Sequence, residues 1–232
     1  MGIQVQDGTV GSANHEEVLA AITPGNQNHT SVKRIKDVVD FSALFEANTN
    51  IVCLQRTPTQ MQEDEAQAAI LSLSPTQFIV DPSTAKEKTP SELDEFPLLA
   101  QDVSFLSELL SDLCGCNAVG ARLALTKTAM CPRFHVDRVT IRFVVTYHGP
   151  GTEFLSSHHV DRQFLGHSKK RKPNGDKGLI LKPDAVQHAD CFDLVALKGE
   201  LWPGNEGQGA VHRSPAVDEG ETRLVLTLDA LT

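Results

Sequence analysis

From Val139 to Tyr147 the chain alternates, placing Val139, Ile141, Phe143, Val145 and Tyr147 on one side of an extended segment. A period of two is a strand period, so this run predicts a strand with one face against a core. The same period returns at Ala121–Met130. It returns again at Thr222–Leu228, where Leu224, Leu226 and Leu228 share one face and Arg223, Val225 and Thr227 the other. Gly178–Leu181 and Asp193–Leu197 give shorter strand signals, and Gly149-Pro150-Gly151 supplies turn chemistry. Several short strands separated by turns point to a β-sandwich or barrel.

The first half reads differently. Residues 1–30 are polar and read as a loosely ordered segment, with one short helix possible from Asn14, where Glu17 completes a capping-box spacing. Residues 31–118 read as a mainly helical lobe that includes one strand, Asn50–Gln55. A helix is expected after it, with Thr57 as cap, Pro58 at the first helical position and Ala66, Ala69, Ile70 and Leu73 on its apolar side. A second helix carries Phe105, Leu106, Leu109, Leu110 and Leu113. Residues 119–232 then form the strand-rich core. The fold class is α+β, with helices preceding the β core.

The chain has 232 residues and a formal charge of −9, which argues against general nucleic-acid binding. The basic run Lys169–Lys172 with Lys177 reads as a solvated loop within a polar excursion, 156–178. No secretory signal or membrane span is visible, so a cytoplasmic protein is expected. Five cysteines then read as thiols or metal ligands rather than disulfides.

Chemistry concentrates in the second half. His-x-Asp occurs three times, at His135/Asp137, His159/Asp161 and His188/Asp190. Only the first pair lies between two clear strands, where both side chains can turn to one ion. His212 follows the flexible run Gly204–Gly209, and Arg223 comes 11 residues later on a new strand. Two histidines and one carboxylate suit a non-haem Fe(II) centre with open positions. Arg223 offers a planar fork to the far carboxylate of a 2-oxoacid; the alternative is an exposed strand residue paired with Glu219 or Glu221.

Phe134–Tyr147, followed by Gly149–Glu153, resembles the front of the double-stranded β-helix core of 2-oxoglutarate/Fe(II) dioxygenases of the prolyl-hydroxylase-like kind. Asp193–Leu197 resembles the strand before their distal histidine. A longer match is to a bacterial domain-of-unknown-function family, number 1826, carried by Met130–Asp137, Thr146–Glu153, Lys198–Gly204 and Val211–Pro215. That family implies a link to metal homeostasis. The dioxygenase resemblance implies a jelly-roll core holding Fe(II) on His135, Asp137 and His212. It also implies that 2-oxoglutarate sits with its distal carboxylate on Arg223, and that Tyr147 or Thr227 adds a hydrogen bond. The primary substrate, small molecule or protein, is left open.

The alternative is a non-catalytic zinc protein on the same barrel that uses Cys131 or the Cys114/Cys116 pair. Against that, Cys114-Gly115-Cys116 does not meet the usual C-x2–4-C spacing, and the favoured reading of the two thiols is packing at a helix end near Gly115. A weaker reading is a cupin-like isomerase or hydrolase, which needs no carboxylate clamp. Trp202 reads either as a lid over substrate or as packing.

Overall fold

The computed structural model describes residues 31–84, 90–165 and 176–231. The expected helix from Asn14, the loose 1–30 segment and the basic run Lys169–Lys172 lie outside these residues.

Among the described residues ten strands form two sheets. In chain order they are β1 (Ser31–Ile35), β2 (Thr49–Leu54), β3 (Thr76–Val80), β4 (Ala118–Thr126) and β5 (Ile141–His148), then β6 (Glu153–Leu155), β7 (Gln187–His188), β8 (Leu194–Lys198), β9 (Val211–Arg213) and β10 (Arg223–Leu231). The larger sheet runs β1-β2-β8-β5-β10-β4-β3, and the smaller one runs β7-β6-β9. Among the described residues only the β1–β2 pair is parallel. Strands distant in sequence thus alternate across the main sheet, and the small sheet packs over one of its faces, which makes a jelly-roll core.

Alternation decides what each face meets. On β5 and β10, Ile141, Phe143, Val145, Tyr147, Leu224, Leu226 and Leu228 join the helix-side core. Val144 and Val225 turn the other way and pack with Phe154 of the small sheet. The small sheet alternates in turn: Phe154 points inward, and Leu155 joins Phe134, Val160, Leu179 and Val211 in an outer cluster.

Two α-helices cover the far face: α1 (Gln60–Ser72) and α2 (Pro97–Cys114). Helix α1 is capped by Thr59, not Thr57. Thr59 and Gln62 satisfy each other's backbone N–H groups in a capping box, which leaves Pro58 outside the helix. Helix α2 starts with Pro97 and ends at Gly115, whose φ of 65° is the left-handed conformation that closes a helix. This explains Cys114-Gly115-Cys116, since the glycine is a C-cap and Cys116 packs into the helix-side core.

The expected helical lobe is corrected by the sheet order. Segment 31–118 contributes β1 and β3 at the two edges of the main sheet and β2 just inside β1, so its helices lie on the sheet and form no separate lobe. A buried polar knot ties helix to sheet there. Arg56 makes two hydrogen bonds to Asp102 of α2, at 2.7 and 3.1 Å, and the Tyr147 hydroxyl donates to the same carboxylate at 2.7 Å. Gly178–Leu181 forms no strand; Ile180 makes only a single bridge to Val160. Trp202 packs on the helix-side core, with Lys198 Nζ 4.9 Å from its ring centre and Phe45 5.8 Å away, so it is a packing residue. No helix among the described residues is long and apolar enough to cross a membrane.

One close approach secures the site. At Gly199 a Cβ would overlap the carbonyl oxygen of Val139 and press on that of Asp137. Gly199→Ala must displace backbone, so it is expected to cost about 3 kcal/mol or more of stability, at the upper end of overpacking effects. A wild-type denaturation midpoint for that variant would contradict this packing.

Candidate metal centre

His135 and Asp137 sit on the irregular segment joining β4 to β5, and His212 sits on β9. A two-way backbone bridge places the histidines opposite one another: His135 N–H donates to the His212 carbonyl and the reverse, both at 3.0 Å. Their ring centres are 4.5 Å apart. Asp137 lies between them, with Oδ1 3.3 Å from His135 Nε2 and Oδ2 3.2 Å from His212 Nε2. The ligating atoms of all three lie within 4.8 Å of one another.

Each ring is oriented from behind. His135 Nδ1 meets the Arg133 carbonyl at 2.9 Å, and His212 Nδ1 meets the Ala210 carbonyl at 3.1 Å. A carbonyl oxygen only accepts, so both Nδ1 atoms carry a proton and each Nε2 is the ring atom turned toward the site. Burial by itself would raise the Asp137 pKa. Hydrogen bonds from His135 and His212, and the Arg142 charge, outweigh it and hold the carboxyl well below the usual range. The bond to Asp137 raises the His135 pKa. A second N–H on either ring exists only in the imidazolium, so a divalent cation would stand where those Nε2 protons stand. The donor set therefore fits such an ion: two imidazoles, one carboxylate, and backbone acceptors that fix both tautomers.

Arg142 Nη1 donates to Asp137 Oδ2 at 2.8 Å, while its Nε and Nη2 grip both oxygens of Asp229 at 2.7 Å each. Sequence reasoning missed this pair. The available signal was opposite charges on two alternating strands; only the register, Arg142 facing Asp229 across β5 and β10, brings them together.

Arg223 begins β10 and is 2% exposed, so the pairing with Glu219 or Glu221 does not occur. Its Nε donates to the Pro150 carbonyl at 2.8 Å, and its Nη2 donates to the hydroxyls of Thr146 at 2.8 Å and Thr152 at 2.9 Å. All three acceptors are neutral. Among the described residues no carboxylate pairs with it and Nη1 has no partner. Burial presses its pKa down to about 10, which still leaves it charged at neutral pH. Pro150 reaches it through the predicted turn, in which Gly149 has φ 84°.

One cavity of about 770 Å³ is lined by His135, His212, Arg142, Thr152, Arg223 and Thr227, among others. Thr227 thus faces the site, on the same side of β10 as Arg223. Tyr147 does not, which corrects the expectation for it. Its parity on β5 turns it under the helices, against Phe192 and Asp102. Thr146 and Thr152 hold Arg223 instead.

The other His-x-Asp pairs do not assemble a site: Asp161 caps a short turn, and His188 lies exposed on β7. Nor do the cysteines. Among the described residues His135, Asp137 and His212 form the only cluster of three or more His, Cys, Asp or Glu suited to a metal. Cys131 is exposed at the rim of the same cavity.

A jelly roll carrying His-x-Asp and a distal histidine at one mouth, with a buried arginine along the same cavity, is the class defined by fold and site. The chain belongs to the family described as Protein of unknown function (DUF1826), whose model matches residues 36–229. No curated protein matches it at a significant level. Among solved structures it is similar to the dioxygenase for auxin oxidation in rice, at 12% identity over 87% of this chain and 83% of that one, with a TM-score of 0.49. It is similar to a Pseudomonas putida prolyl-4-hydroxylase at 14% identity over 83% and 97% (TM-score 0.43). HygX from Streptomyces hygroscopicus, with nickel and 2-oxoglutarate bound, is 9% identical over 85% and 88% (TM-score 0.43).

Proposed function

We propose that this protein is an Fe(II)- and 2-oxoglutarate-dependent oxygenase. The observation that carries the reading is Arg223, a buried guanidinium with no carboxylate partner among the described residues, lining one cavity with His135 and His212. A buried cation is costly unless a counter-charge meets it, and a planar fork selects a carboxylate. A 2-oxoacid with a second carboxylate supplies that charge and chelates a metal with its other end.

In this reading His135 Nε2, His212 Nε2 and a carboxylate oxygen of Asp137 hold the iron. When bound, iron and 2-oxoglutarate supply oxidation of a substrate C–H bond by dioxygen, with succinate and carbon dioxide as co-products. The chain's own part is to bind, orient and exclude water. Thr146, Thr152 and Pro150 use Nε and both Nη2 hydrogens of Arg223, which leaves the Nη1 hydrogens for the distal carboxylate. Val144 and Val225 line the same cavity and give it an apolar surface. Thr227 offers a further hydroxyl from the same wall.

The test is anaerobic loading of purified protein with Fe(II), then addition of 2-oxoglutarate and oxygen. Succinate formation is expected even without a primary substrate, together with its loss in Asp137→Ala. Succinate at the level of free iron in both proteins would overturn the reading.

A further inference from the structure

We propose that Arg142 is a positioning residue that presents Asp137 to the metal through a single oxygen, and that Asp229 holds Arg142 in that pose. The inference rests on the metal-binding reading above.

The geometry is a three-member chain. Asp229, on the strand that begins with Arg223, takes the Nε–Nη2 edge of Arg142 with both oxygens at 2.7 Å. That bidentate grip fixes the guanidinium plane. The remaining nitrogen, Nη1, is thereby aimed at Asp137 Oδ2, which it reaches at 2.8 Å. Asp137 Oδ1 has the His135 ring as its neighbour at 3.3 Å, while Oδ2 is shared between Arg142 and the His212 ring, whose Nε2 lies 3.2 Å away. All three side chains are half-buried, so water screens the contact less than at an open surface.

Counting ligands shows why this matters. Two imidazoles and one carboxylate oxygen leave three positions on a six-coordinate ion. A chelating 2-oxoacid takes two, and one remains for dioxygen. If both Asp137 oxygens bound the ion, only two positions would remain and the chelate would fill them. A guanidinium on Oδ2 disfavours that second bond, both by occupying one of the oxygen's two lone pairs and by placing a positive charge beside it. The Asp229 charge offsets the guanidinium, so the carboxylate is oriented without losing its net attraction for a cation. An unanchored lysine at 142 could also pair with Asp137, but it lacks the fork that takes two carboxylates at once.

The experiment is a Co(II) titration followed by visible absorption, on wild type, Arg142→Met and Asp229→Asn, and then a 2-oxoglutarate titration of each Co(II)-loaded protein. Loss of an outer partner of a metal ligand typically costs about 10–100-fold in affinity. Both variants are expected to bind Co(II) that much more weakly. Their loaded forms should also show altered Co(II) bands and weaker 2-oxoglutarate binding, although Arg223 is untouched. The double variant should lose no more than the worse single one, because the two residues act in one chain. Asp229→Asn keeps the shape of the side chain and carries the test if Arg142→Met does not fold. Variants that match wild type in both titrations make Arg142–Asp229 a plain cross-strand pair and overturn the inference alone. A wild-type protein that binds no Co(II) overturns the metal reading and the inference together.

Discussion

His212→Ala is expected to abolish stoichiometric Fe(II) or Co(II) binding while leaving the fold in place. In the proposed centre the imidazole is one of three ligands, so the loss should exceed the 10–100-fold typical of outer-shell changes. The backbone bridge to His135 does not need the side chain, so the jelly roll should persist in far-ultraviolet circular dichroism. Asp137→Ala should behave alike, and removal of Asp137 should also lower the His135 pKa, since its hydrogen bond raises it. The sign of the pH dependence in wild type follows. A proton on His135 competes with metal, and its raised pKa moves that competition to higher pH. Metal affinity should therefore be full above the raised His135 pKa and fall as pH drops through it. Calorimetric titration across pH reads this directly. Affinity that is flat with pH, or retained in His212→Ala, would place the ion elsewhere.

Arg223→Leu is expected to weaken 2-oxoglutarate binding to the metal-loaded protein by about 100-fold or more. Charge-assisted hydrogen bonds to a carboxylate are worth roughly 1.5–3 kcal/mol each, and two such bonds reach that range. Metal affinity should change little, because no ligand atom bonds to Arg223. The variant should still fold. Removing a buried guanidinium relieves its desolvation cost, which offsets the unpartnered Pro150 carbonyl. Arg223→Lys keeps charge but not the fork, so it should fall between the two. Equal 2-oxoglutarate affinity in all three proteins would remove the co-substrate from the reading and leave a metal site without a clamp.

Much of the site was legible from residue type and parity. His135 and Asp137 were separable from the other His-x-Asp pairs because only they lie between two alternating strands, and His212 was marked by the flexible run before it and the strand bearing Arg223 after it. Arg223 stood out as a cation on the face opposite three leucines. Tyr147 misled because its hydroxyl suited the expected hydrogen bond, while its parity put it with Phe143 and Val145 against the helices. Thr146, one residue earlier, has the correct parity and is the side chain that holds Arg223. The short edge strands β1 and β3 were missed because neither alternates for long enough to stand out within a helix-rich stretch.

Periodicity is a local property, written in neighbouring side chains, so the chain alone marked the long alternating strands β4, β5 and β10, the parity that meets a core on them, and the residues chemically able to hold a metal. Register and layer order are not local. Bringing His135 opposite His212, 77 residues away, depends on how β6 pairs with β9 and how that small sheet lies on the large one. The pairing of β5 with β10 sets Arg142 against Asp229, and the layer order keeps Cys116 in the helix-side core and leaves Arg223 buried with no acid beside it among the described residues. No short-range pattern encodes those distances, because they arise only when strands remote in sequence are packed side by side.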